Sequence, residues 1–112
     1  LLGALALGDI GGHFPDKDPA FQGIDSRELL RSAYQKVTAA GYVLGNADIT
    51  IIAEKPRIGN HADDMRRALA RDLNVEMSQV SIKATTTEKM GYLGREEGIA
   101  AQATVLLVSA GP

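Results

Sequence analysis

The sequence contains no cysteine and no tryptophan. The first absence removes disulfide frameworks, thiol catalysis and thiolate-ligated zinc from consideration. Histidine is nearly as scarce: only His13 and His61 occur, so an all-histidine metal site cannot come from one chain. Basic residues show no excess, with 12 Lys and Arg against 14 Asp and Glu and a formal charge of −2. Such a chain lacks the charge to neutralise a phosphate backbone over many contacts, which argues against general nucleic-acid binding. Repeats, linkers and low-complexity tracts are missing as well. What is present, 45% hydrophobic and 23% charged residues, is ordinary for a soluble globular chain and excludes a disordered tail, a collagen-like repeat and a membrane bundle. At 112 residues there is room for a single domain with one core.

The first residues, Leu1 to Leu7, are apolar and begin without a methionine, which points to sequence upstream. With no basic n-region and no clear cleavage pattern, they read as a helix remnant rather than a signal peptide. Asp9 to Gly23 is punctuated by Gly, Pro and Asp and reads as an irregular loop. Asp25 followed by Glu28 has capping-box spacing and opens a helix whose stripe is Leu29, Leu30, Ala33, Tyr34, Val37 and Ala40, with Gly41 as its stop. Tyr42 to Glu54 is β-branched and reads as a strand ended by Pro56 and Gly59. Asn60 then caps a second helix, with Met65, Ala68, Leu69 and Leu73 inward, Arg66, Arg67, Arg71 and Asp72 outward, and Asn74 closing it. Val80, Ile82 and Ala84 alternate with Ser81, Lys83 and Thr85 as in a half-buried strand. Ile99 to Val108 is a nearly continuous apolar run, expected to be the central strand. This order describes an α/β or α+β layer domain with one sheet and helices packed on it.

Three segments concentrate chemistry. Asp9-Ile10-Gly11-Gly12-His13-Phe14-Pro15-Asp16-Lys17-Asp18-Pro19 brings carboxylates and an imidazole close together. These residues are ordinary turn formers, but a carboxylate can also accept from ribose hydroxyls while glycine lets a ligand approach the backbone. Lys83-Ala84-Thr85-Thr86-Thr87-Glu88-Lys89 runs off a strand end. The threonines are good β-formers; equally, their hydroxyls and the turning N–H groups make a donor array for phosphate oxygens, beside a glutamate suited to Mg²⁺. Ala53-Glu54-Lys55-Pro56-Arg57-Ile58-Gly59 is either a solvated turn or a loop that reads a base through backbone groups. His61 reads as a surface residue of the first helical turn. GxGxxG after a strand, GxxxxGK[ST], HExxH and GxSxG are all absent.

Asp-Ile-Gly-x-x-Phe-Pro-Asp at Asp9 to Asp16, with Lys-Ala-Thr-Thr-Thr-Glu at Lys83 to Glu88, resembles the 2-C-methyl-D-erythritol 2,4-cyclodiphosphate synthase family of the non-mevalonate isoprenoid pathway. Leu1-Leu2-Gly3-Ala4, Asp25-Ser26-Arg27-Glu28-Leu29-Leu30, Gly41-Tyr42, Ile51-Ile52-Ala53, Pro56-Arg57 and Gly94-Arg95 extend the match along the whole chain. The resemblance implies an α+β (α/β layer) domain with a mixed four-stranded sheet and helices on one face, assembled as a homotrimer with active sites between subunits. It implies a lyase that cyclises 4-diphosphocytidyl-2-C-methyl-D-erythritol 2-phosphate with loss of CMP, using Zn²⁺ and a second divalent cation, Mg²⁺ or Mn²⁺. By position, Asp9 and Gly11, with Ile10 between them, hold the ribose. Phe14, Pro15, Asp16, Lys17 and Asp18 line the methylerythritol phosphate end. Ala53, Glu54, Lys55, Pro56, Arg57, Ile58 and Gly59 form the cytosine pocket, Gly59 standing where the family commonly has a bulkier residue. Thr85, Thr86 and Thr87 face the diphosphate, Thr86 stabilising the transition state and Glu88 ligating the second metal. Tyr92 and Arg95 lie at the phosphate-bearing end or the mouth of a central cavity. The zinc ligands of the family, an Asp-x-His pair and a further histidine, fall before Leu1, and neither His13 nor His61 takes their place; the chain is therefore expected to be a family member short of its N-terminal strands and zinc segment. The setting implied is the bacterial cytoplasm or a plastid. Two other readings stay open: an inactive cytidine-nucleotide-binding module, and a structural trimer-forming domain without a ligand.

Overall fold

The computed structural model describes residues 1–111. Its residues group into two compact units, Leu1–Gly45 with the residues from Leu106 onward, and Asn46–Val105.

In the first unit, Gly3–Leu5 forms a single 3₁₀ turn, all that is helical in the expected remnant. Asp9 to Gly23 is more ordered than a loop: α1 (Ile10–His13) is one helical turn capped by Asp9, whose carboxylate accepts from Gly12 N at 2.9 Å, and Pro19–Phe21 is a 3₁₀ turn capped by Asp18. Turns this short have no periodicity to read. Helix α2 (Ser26–Ala39) begins at Asp25, whose side chain accepts from Arg27 N, and ends at Gly41 with φ +91°. Its buried stripe is Ala33, Tyr34 and Val37. Val37 is fully buried, and the Tyr34 hydroxyl accepts from Leu44 N at 3.0 Å, tying the helix to strand β1 (Tyr42–Ile52). Leu2, Phe14 and Ala33 form a second apolar cluster, closed by the edge-on packing of Phe14 against Phe21.

The second unit is a β–α–β crossover. From β1 the chain passes through a 3₁₀ turn (Gly59–His61) into α3 (Ala62–Asp72), then through Met77–Gln79 into β2 (Val80–Thr85). Parallel pairing requires such a crossover. The register runs from Ala47 opposite Val80 to Ile52 opposite Thr85. The helix starts at a 3₁₀ turn with no side-chain cap from Asn60, and Asn74 closes it at φ 52°. Ala70, Leu73, Ala47, Ile51 and Val80 are buried here. Arg66, expected among the outward charges, is half-buried: its guanidinium donates to Val80 O at 2.7 Å and Met77 O at 2.8 Å, capping carbonyls at the entry to β2. After β2 come the short α4 (Gly91–Gly94), also missed for want of periodicity, and β3 (Ala100–Ser109).

The sheet has three strands among the described residues, in the order β2-β1-β3, rather than four. Only these three stretches combine strand length with β-branched or continuous apolar character. Ala110 N bonds Gly41 O, and a Cβ on Gly45 would meet Leu106 O, so β3 runs antiparallel to β1 and the sheet is mixed. β3 is an edge strand, not the central one; that place belongs to β1. A continuous apolar run reports that both faces are suited to burial, without saying which molecule covers them.

Candidate active site

Because β1 and β2 are parallel, both leave the sheet at the same edge, and the two segments that follow them are brought together. Ala53 N donates to Thr85 O at 3.0 Å, carrying the pairing one step beyond β1. Outside the carboxyl ends of parallel strands is where open α/β sheets bind ligands. Here the edge holds a cleft of ≈ 420 Å³ lined by Ala53, Glu54, Pro56, Arg57, Ile58, Gly59, Asn60, Ala84, Thr85 and Thr86. That volume suits a small molecule. Pro56 follows a cis peptide bond. A Cβ on Gly59 would meet nothing within 4 Å, so the wall is open there. Lys55 points elsewhere, 3.8 Å from Glu96.

The three threonines, alike in sequence, differ in what their hydroxyls do. Thr85 Oγ1 donates to Thr86 O at 3.2 Å and Thr87 Oγ1 to Met90 O at 2.6 Å, so both protons are spent on backbone. Thr86 Oγ1 instead accepts from Glu88 N at 3.2 Å, which leaves its own proton for another acceptor. Glu88 and Lys89 sit in the left-handed region, at φ 56° and 65°. Non-glycine residues there cost about 1 kcal/mol or more each and need support from their surroundings. Glu54 provides it. Its Oε1 accepts from Lys89 N at 3.0 Å and Thr87 N at 3.3 Å.

The Asp9 to Asp18 segment belongs to the first unit, whereas the residues lining the cleft belong to the second. Ile10, Pro15, Asp16 and Lys17 are exposed, whereas Phe14 is 8% exposed within its apolar cluster. The Asp18 carboxylate caps Pro19–Phe21 through Ala20 N. Tyr92 is exposed, and Arg95 pairs with both oxygens of Glu97 at 2.8 and 3.3 Å. His13 Nε2 lies 2.7 Å from Leu7 O. Asn60, expected as a helix cap, and Ala84, expected within the segment Lys83 to Lys89, also line the cleft, though neither was expected to bind substrate. Adjacency to Gly59 and to the threonine run was the only available signal.

Two converging loops at the carboxyl edge of a mixed sheet, one bearing a free hydroxyl proton and a carboxylate, define an α+β protein with a cleft of small-molecule size. The chain belongs to the YgbB family, whose profile matches residues 1–108. It is 60% identical over 111 residues to a 2-C-methyl-D-erythritol 2,4-cyclodiphosphate synthase from Cronobacter sakazakii, covering 99% of this chain and 70% of that one. It is 62% identical over 108 residues to the protein of that name from Psychrobacter cryohalolentis, covering 96% of this chain and 64% of that one. The CDP complex of IspF from Plasmodium falciparum superposes with a TM-score of 0.85 at 34% identity, covering 98% of this chain and 65% of that one. The chain thus spans about two thirds of the length of these relatives. The family drawn from the Asp9 and Lys83 motifs is the family these comparisons give, one of metal-dependent lyases in isoprenoid biosynthesis.

Among the described residues, no three His, Cys, Asp or Glu side chains are grouped to hold a metal. These residues do not make a zinc cage. Glu88 is exposed in the turn after β2 and is not among the residues that line the cleft. Among the described residues no helix is long and apolar enough to cross a membrane.

Proposed function

We propose that this chain carries out the cyclisation of 4-diphosphocytidyl-2-C-methyl-D-erythritol 2-phosphate to 2-C-methyl-D-erythritol 2,4-cyclodiphosphate with release of CMP. The observation that carries this reading is the cleft in which Ala53 to Gly59 meets Thr85 and Thr86, in a chain so closely related to synthases of that name. A 2-phosphate oxygen attacks the β-phosphorus, the bond from that phosphorus to the bridging oxygen breaks, and CMP leaves with the electron pair. The nucleophile is already an anion, so the protein has to position and neutralise rather than remove a proton.

In this reading Ala53 to Gly59 holds the cytosine through backbone groups, and Asp9 and Gly11 hold the ribose. Phe14 to Asp18 flanks the methylerythritol phosphate, Phe14 through its backbone because its ring is buried. Thr86 donates its unspent proton to a phosphoryl oxygen, with Thr85 beside it. Glu88 holds the second divalent cation, which supplies charge neutralisation when bound. Tyr92 and Arg95 stand at the outer end. The active unit is a homotrimer with the site between subunits, supported by the exposed apolar residues on and beside β3: Ile99 at 55%, Leu106 at 57% and Val108 at 40%.

The test pairs CMP calorimetry with turnover of the diphosphocytidyl substrate in the presence of Zn²⁺ and Mg²⁺. Cyclodiphosphate formation is expected, and Glu88→Ala should lower turnover at least tenfold while changing CMP affinity less than threefold, because it removes charge stabilisation rather than base contacts. CMP binding without product in the parent chain would make it a binding module instead.

A further inference from the structure

Glu54 follows a buried alanine at the end of β1 and precedes a Pro/Gly turn, where a glutamate has no reason of its own to point inward. Its carboxylate nevertheless reaches across to the segment after β2 and gathers the amides of Lys89 and Thr87 on one oxygen, at 3.0 and 3.3 Å. Those amides flank Glu88, and Glu88 and Lys89 are the two consecutive residues held left-handed. Thr86 is fixed to the same turn by the bond its hydroxyl accepts from Glu88 N. The opposite wall is closed too: a Cβ on Gly94 would fall against the Lys89 carbonyl carbon and 2.6 Å from Lys89 O, so α4 backs directly onto the turn.

We propose that Glu54 is a positioning residue whose carboxylate holds the Thr86–Lys89 turn in the shape that presents Thr86 and Glu88 to the substrate. It rests on the cyclase reading above and goes beyond it by separating Glu54 from the base-binding loop in which it lies. Residues of that loop line the cleft while the glutamate carboxylate bonds to the neighbouring loop. What the turn requires of residue 54 is an acceptor oxygen at that place, not a negative charge.

Four full-chain proteins test this: the parent, Glu54→Ala, Glu54→Met, which keeps side-chain length without a strong acceptor, and Glu54→Gln, which restores an oxygen without the charge. Amide hydrogen exchange at Thr87 and Lys89 should quicken at least tenfold in Ala or Met and return towards the parent in Gln. kcat should fall about tenfold to a hundredfold in Ala or Met, the scale of a small misplacement of reacting groups. CMP affinity should stay within about threefold of the parent, and Gln should recover most of the rate. If Ala does not fold, Met decides. Unchanged exchange in the acceptor-less variants, an equal rate loss in Gln, or a loss confined to CMP affinity would each overturn the assignment. A parent that binds CMP without turnover would remove the cyclase reading alone, since the exchange measurements still decide whether Glu54 pins the turn.

Discussion

Gly11 lies inside the single turn of α1, a place where alanine is the better helix former by about 1 kcal/mol. A Cβ there would meet nothing nearer than Asp9 Oδ1 at 3.7 Å, an ordinary contact. A Cβ would be tolerated by the fold at this position, and the proposed ribose contact is what would call for a glycine there. Gly11→Ala is therefore expected to keep or slightly raise the melting temperature while weakening CMP binding about tenfold; calorimetry returning the parent affinity would take Gly11 out of the ribose contact. Gly94 is the contrary case, required by the Lys89 backbone behind it. In the sequence these glycines look alike, because the residue type shows only that a side chain is missing and not what occupies its place. The same limit hid Glu54. A glutamate in a Pro/Gly turn reads as a solvated charge, and its partners lie beyond the whole crossover that separates β1 from β2.

At the scale of elements, β1 and β2 are joined by a diagonal pair as well as by their ladder: Lys83 Nζ donates to Asp48 Oδ2 at 3.0 Å. The Lys83 hydrogen bond holds the Asp48 carboxyl below its ordinary range, desolvation opposes it, and the Lys83 charge and a Ser81 hydrogen bond add to the lowering. A carboxyl lowered in the folded state contributes stability that is present above the ordinary aspartate range and is lost as the pH falls through its lowered native value. Thermal melts should show Asp48→Asn narrowing the gap between neutral and acid stability, by a small amount because both side chains are more than half exposed. The effect should shrink in high salt, and an acid limb identical to the parent's would show that the pair contributes nothing. Elements of this kind were legible where a periodic stripe met a terminal signal. α2 has the Asp25 cap, three buried stripe residues and Gly41, and β1 and β2 have β-branched alternation. α1 and α4 were not, since four residues cannot display a period.

For the molecule as a whole, the sequence gives the family and the α+β architecture but misplaces β3, whose apolar run belongs to an edge strand with Leu106 57% exposed. An edge with exposed apolar residues invites association unless it is covered. If the proposed trimer forms through this edge, Leu106→Lys is expected to give a monomer in light scattering while the far-ultraviolet dichroism stays that of the parent. A parent that is itself monomeric at micromolar concentration would remove the trimer proposal. The topology also bears on how the chain reaches this state. Each pairing of the sheet joins residues far apart in sequence, β1 with β2 across all of 53–79 and Gly41 with Ala110 across nearly the whole of the rest. Loop closure has to precede any gain from those pairings, whereas α2 carries its own start and stop signals. Refolding should therefore be slower than for a helical bundle of equal length, with α2 ordered first and the cleft completed only when β2 has paired with β1.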